Sequence, residues 1–120
     1  MALDTLWEEA SRPGWDGYSA RPVSGLTYWK AKAFLAALPS TVPPPGVGAD
    51  PDGEVAFEWY AAPDLVFTVS IGSSGVLSYA GLFGRNKIYG SEQFLGELPK
   101  PIAESLSRLY SDPRAARAAR

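Results

Sequence analysis

Four acids crowd one short stretch of the chain, Asp50, Asp52, Glu54 and Glu58. Paired carboxylates can serve as acid and base in hydrolysis, or together hold a hard cation. Glu54 and Glu58 fall on one face of a strand, but four residues at ~3.3 Å each set them about 13 Å apart. Glycoside hydrolysis uses carboxylates roughly 5–9.5 Å apart. Asp50, Asp52 and Glu54 offer oxygen ligands without the fuller set of a calcium loop. Ser73-Ser74-Gly75 holds two hydroxyls, but the chain has no His to serve as their base. Gly81-Leu82-Phe83-Gly84 lacks the glycine spacing of a phosphate loop. With neither Cys nor His in the inventory, disulfides, thiolate nucleophiles, Cys/His zinc sites and imidazole catalysis are excluded. The sequence therefore nominates no catalytic residue, no metal site and no cofactor, and it argues for binding rather than catalysis.

The surplus lies in aromatics: four Trp, six Tyr and five Phe in 120 residues, more than a core of this size must hold. Trp, Tyr and Arg are the residues that anchor protein interfaces. The segment Gly14-Trp15-Asp16-Gly17-Tyr18 reads as an ordered loop, because glycines frame two aromatics and an acid. Trp15, Asp16, Tyr18, Tyr60 and Arg85 are the candidate partner-binding residues. Trp29, Phe57, Trp59 and Tyr79 are the candidate lining of a small-ligand pocket between helix and sheet. Phe83, Arg85, Lys87 and Tyr89 interleave aromatic and basic residues, a pattern that can stack on and neutralise single-stranded nucleic acid. Tyr79 to Phe83 shares residue types, though not their order, with an RNA-binding strand motif.

These residues must be positioned by a small α+β domain. Gly53 to Gly90 contains β-branched and aromatic runs bounded by Gly, Ser, Pro and Asp, the signature of a meander. The expectation is an antiparallel sheet of three to four strands, the fourth being Lys87 to Tyr89, packed against one main N-terminal helix and followed by a C-terminal helix. Val55, Phe57 and Trp59 share one face of the first strand, and Leu65, Phe67, Val69 and Ile71 one face of the second. A five-residue loop from Tyr60 to Asp64 would place Trp59 opposite Leu65. Against the two-residue loop that would reverse the faces of the next strand, Ser73-Ser74-Gly75 reads as a three-residue hairpin loop with Gly in the left-handed position. It puts Leu77, Tyr79 and Phe83 with the apolar row, and Ser78, Ala80 and Leu82 on the other face.

Leu3 to Ala10 reads as a short first helix that Pro13 ends. Ser24 opens the main helix to about Leu38, with Leu26, Trp29, Ala33, Ala37 and the flanking Phe34 and Leu38 on the sheet side, and Tyr28 and Leu35 nearly opposite. Thr41 to Asp52 is a proline-rich crossing that ends in a turn. Ser91 to Leu98 reads as irregular. Pro101 suits a first helical position, and Ile102, Leu106 and Leu109 define an amphipathic helix to about Tyr110. The expected organisation is one domain over residues 1–112 with a basic flexible tail over 113–120.

Hydrophobic residues make up 46% and charged residues 20%, an ordinary globular composition. The net charge of −2 is divided. Residues 1–60 hold eight acids and four bases, residues 61–120 five acids and seven bases. That balance argues against a nucleic-acid partner for the domain as a whole. The first residues lack a basic and apolar leader pattern, and no run reaches the ~18 apolar residues of a membrane span. The chain reads as cytoplasmic.

The segments Trp15-Asp16-Gly17-Tyr18, Gly53-Glu54-Val55-Ala56-Phe57-Glu58-Trp59 and Ser78-Tyr79-Ala80-Gly81-Leu82-Phe83-Gly84 resemble those of a set of small bacterial proteins of unassigned activity. The resemblance covers roughly residues 14–110. It implies a bacterial origin and carries no catalytic residue. By analogy, small acidic stand-alone domains often serve as inhibitors, antitoxins or accessory factors. The leading expectation is thus a non-enzymatic module whose partner is another protein. Self-pairing through a sheet edge is the second route to a partner, and a small ligand or a single strand of nucleic acid the alternative.

Overall fold

Glycine-rich Gly46–Ala49 begins the sheet, although its residue types are poor strand formers. The computed structural model describes residues 2–118. It contains five antiparallel strands in sequential order: β1 (Gly46–Ala49), β2 (Val55–Ala62), β3 (Leu65–Ile71), β4 (Val76–Phe83) and β5 (Asn86–Gln93). The expected three to four strands are thus five. The added one is β1, at the end of the proline-rich crossing. The turn from Asp50 to Glu54 folds it onto β2. There Asp50 N–H donates to Glu54 O, Gly53 N–H to Asp50 O, and Glu54 N–H to the Asp52 carboxylate. Gly53 has φ +90°, a conformation that costs glycine little. The last strand is also longer than expected. It runs on through Ser91 to Gln93, and the adjoining Phe94 N–H donates to Gly75 O.

The β2–β3 connection differs in register. Strand β2 continues to Ala62, with a bulge between Tyr60 and Ala62, so only Pro63 and Asp64 make the turn. Trp59 pairs with Phe67, not Leu65. The shift is two residues, so every side chain keeps its expected face. The β3–β4 turn matches expectation: Ile71 pairs with Leu77, and Gly75 has φ +78°.

Helices α1 (Ala2–Ala10), α2 (Gly25–Ala37) and α3 (Lys100–Ser111) all lie over the face carrying Val55, Phe57, Trp59, Phe67, Val69, Ile71 and Leu77, each 0–1% exposed. In α3, Ile102, Leu106 and Leu109 are buried as their spacing predicts. Helix α2 is turned relative to expectation. Its buried residues are Thr27, Ala31 and Phe34, while Leu26 and Trp29 face solvent. Three contacts fix that rotation. Phe34 stacks on Phe57 at 5.0 Å, Tyr28 on Trp7 of α1 at 5.1 Å, and Lys30 Nζ donates to Ser73 O at 2.8 Å. The Ser24 hydroxyl caps the helix by accepting Thr27 N–H.

The segment read as a basic tail opens with a short helix, α4 (Pro113–Ala118), lying against β2. Asp112 accepts Arg114 N–H at its start, and Arg114 bridges Asp112 and Asp64. Ala115 is buried. Residues 119–120 of that segment lie outside the described residues. Among the described residues, no helix is long and apolar enough to cross a membrane.

Candidate functional site

Antiparallel partners share a face, so the register defines what the side of the sheet opposite α1, α2 and α3 displays. One row across it reads Gly46, Glu58, Thr68, Ala80, Tyr89. The next reads Tyr60, Val66, Leu82, Lys87, and the one before reads Gly48, Ala56, Ser70, Ser78, Ser91. Tyr60 is 61% exposed and Tyr89 87%. Between them the floor is small or short: Ala56, Thr68, Ser70, Ser78 and Ala80. A shallow hollow of about 330 Å³ lies over Val66, Thr68, Ala80, Leu82, Lys87 and Tyr89. Charge is segregated across this face, with Glu58 and the nearby Asp50 and Glu54 toward β1, and Lys87 toward β5.

The five residues singled out for partner binding do not form one surface. Trp15 Nε1–H donates to Arg21 O at 2.8 Å, and its ring packs against the core. Asp16 accepts the N–H groups of Tyr18 and Ala20 at 2.9 and 3.3 Å. Its carboxylate therefore closes the loop itself. Tyr18 is 87% exposed. Arg21 N–H donates to Pro51 O, which pins this loop to the turn where β2 begins. Tyr60 lies five residues further along β2, about 16 Å away at ~3.3 Å per residue. Arg85 sits in the β4–β5 turn at that far end, where Gly84 N–H donates to Asp64 O. Tyr60 and Arg85 thus share one end of the sheet, and Trp15, Asp16 and Tyr18 sit at the other.

The four pocket candidates are also separated. Phe57 and Trp59 are fully packed in the core, at 0% and 1% exposed, while Trp29 is 69% exposed on the outer side of α2. Tyr79 lies over Gly90, where a Cβ would stand 2.5 Å from its Oη. Of the four nucleic-acid candidates, Phe83 is buried on the helix-covered face beneath the Arg108 guanidinium, 4.2 Å from its ring. Lys87 and Tyr89 stand on the uncovered face, and Arg85 in the turn. The residues that sequence reasoning missed are Val66, Ala80 and Leu82. Their signal was legible: positions opposite the core row carried apolar or small residues where a solvated face usually carries charge.

Among the described residues, no group of three acidic, His or Cys side chains is arranged to hold a metal. The acids near β1 are nonetheless perturbed. Partial burial, and then the charge of Asp52, raise Asp50 above the usual carboxylate range. Glu54 is raised by burial and then by Asp52 and Asp50. The folded state therefore binds protons more readily than the unfolded chain. Their contribution to stability falls as pH rises from about 4 through the raised values. Asp112 has the opposite sign. Hydrogen bonds from Arg114 lower it, so its contribution is present above about pH 4 and is lost as pH falls through the lowered value. The double variant Asp50→Asn, Glu54→Gln is expected to raise the melting temperature at pH 7. It should also flatten the decline above about pH 4 in thermal unfolding. An unchanged slope would place the pH dependence elsewhere.

No family model, no curated protein and no solved structure matches this chain.

Proposed function

We propose that this chain is a protein-binding module that acts without catalysis, docking its partner on the uncovered face of the sheet. One observation carries the reading: Tyr60 and Tyr89 stand exposed on either side of a floor of Ala, Thr, Ser, Val and Leu side chains. Tyrosine gives a large contact area for two rotatable side-chain angles, which makes it a low-entropy anchor. A shallow floor flanked by anchors suits a broad macromolecular surface. A small ligand needs a concave site that buries most of its area. Glu58 on the same face, with Asp50 and Glu54 beside it, repels phosphate, so a protein partner is preferred over nucleic acid.

The test is a comparison of Tyr60→Ala and Tyr89→Ala with Tyr18→Ala. All three replace exposed rings, and each should leave stability within about 0.5 kcal/mol. The first two are expected to weaken capture of the partner by about tenfold or more, roughly 1.4 kcal/mol each. Tyr18→Ala, at the other end of the molecule, is expected to leave capture unchanged. Capture that survives the double Tyr60→Ala, Tyr89→Ala variant would refute the docking face.

A further inference from the structure

We infer that the partner seated on the uncovered face is a second copy of this chain, packed sheet against sheet about a two-fold axis that runs along β3. The inference rests on the docking-face reading and adds the identity of the occupant. For aligned packing of two such faces, two in-plane axes compete, one across the strands and one along them. An axis across the strands sets β2 over β2 and β5 over β5 of the other copy, which leaves Glu58 three strands from Lys87. An axis along the strands reverses the strand order instead. It lays β1 over β5 and β2 over β4 of the other copy, which sets Glu58 over Ala80, one strand and one row away from Lys87. Of the two, this arrangement brings Glu58 and Lys87 within reach of each other's long side chains, and it does so twice by symmetry.

Shape selects the same axis. Tyr89 and Gly46 lie in one row at opposite edges of the sheet. Reversing the strand order at constant height brings the most exposed ring of the face over β1 of the other copy. There the outward positions are Gly46 and Gly48, and a Cβ built on Gly48 has nothing within 4 Å. Tyr60 is carried over Leu82 in the same way, since both stand in one row. The small floor between them allows the spacing of about 10 Å at which stacked sheets pack.

Five strands about 4.8 Å apart and roughly 7 residues long present about 550 Å² per copy. The total, about 1,100 Å², is at the low end for specific association. A reversible, concentration-dependent dimer is therefore expected. The sheet edges are poorer routes. β1 is four residues long and follows three prolines, and β5 carries Lys87 and Glu92 along its edge.

Analytical ultracentrifugation of the full chain from about 5 to 500 µM tests the inference, with circular dichroism confirming that each variant is folded. The wild type is expected to approach dimer mass over this range. Lys87→Glu and Glu58→Lys should each weaken self-association by about tenfold or more. The double variant Glu58→Lys, Lys87→Glu, and an equimolar mixture of the two single variants, should both restore it. A purely structural role for either residue would produce no such rescue. A wild type that stays monomeric throughout overturns the second copy as occupant, and so does a dimer that neither charge reversal weakens. In either case the docking face stands or falls separately, on whether Tyr60→Ala and Tyr89→Ala lose a different protein that the wild type captures.

Discussion

Replacing Trp59 with alanine is expected to cost the fold about 3–5 kcal/mol, the range for removing a large aromatic from a packed core. Replacing Trp29 in the same way should change stability by about 0.5 kcal/mol or less. The two residues are identical in type, and sequence reasoning placed both between helix and sheet. Trp59 is 1% exposed and lies 6.2 Å from the ring of Phe67. Its Nε1–H also donates to Pro43 O at 2.8 Å, which holds the proline-rich crossing against the sheet before β1 begins. The variant thus opens a cavity and leaves that crossing without an anchor. A domain of this size has about 5–15 kcal/mol of stability in total, so the loss removes a large share of it. Trp29 has 69% of its surface in water and loses little on truncation. Urea unfolding of both variants provides the measurement. A large cost at Trp29 would mean that α2 packs on its Leu26–Trp29 side after all, with Phe34 turned outward.

The contrast between these two tryptophans shows what the sequence makes legible. Helix α3 is readable because Ile102, Leu106 and Leu109 form one apolar stripe and polar residues fill the rest. Helix α2 carries Leu26, Tyr28, Trp29, Phe34 and Leu35 around most of its circumference. Its own periodicity therefore does not select a face; Phe57, Trp7 and Ser73 do, and they are distant in sequence. Strand faces are readable from alternation, but alternation repeats every two residues and cannot detect a shift of two. That is why Trp59 has its expected face and a different partner. Strand β1 is hidden because Gly46, Gly48 and Ala49 are poor strand formers around a single valine, and the segment is recruited by the Asp50–Glu54 turn. For the candidate site, the loop from Gly14 to Tyr18 is readable as ordered. The use of Asp16 is not, because its carboxylate is taken up by two backbone N–H groups of the same loop. The bare face of the sheet is legible only in part: alternation separates its residues from the apolar row, but that no helix covers them is decided by long-range packing.

Substituting valine for Gly81 sets local preference against that packing. Strand propensity alone favours the change, since β-branched residues gain up to about 1 kcal/mol over poor strand formers. The structure predicts the opposite sign. A Cβ at Gly81 would stand 2.7 Å from Phe83 Cε2, 3.0 Å from Phe67 Cδ1 and 3.1 Å from Ile88 Cγ1. Phe67 is fully buried, and Phe83 is held beneath Arg108, so neither ring has room to withdraw. Overpacking of this kind costs about 1–3 kcal/mol, and the two methyl groups beyond Cβ press further into the same rings. Gly81→Val is expected to destabilise by about 2–3 kcal/mol. Gly48→Val is the matched control, because a Cβ there meets nothing within 4 Å and the backbone is not in the left-handed region. In dilute solution it should gain about 0.5–1 kcal/mol, as the unfolded chain loses conformational freedom. Opposite signs at two strand glycines, read as urea midpoints, would establish that Gly81 is present for the rings it accommodates. A gain at both would mean that Phe67 and Phe83 are loosely held, and that the core beneath α3 has room the rings do not fill.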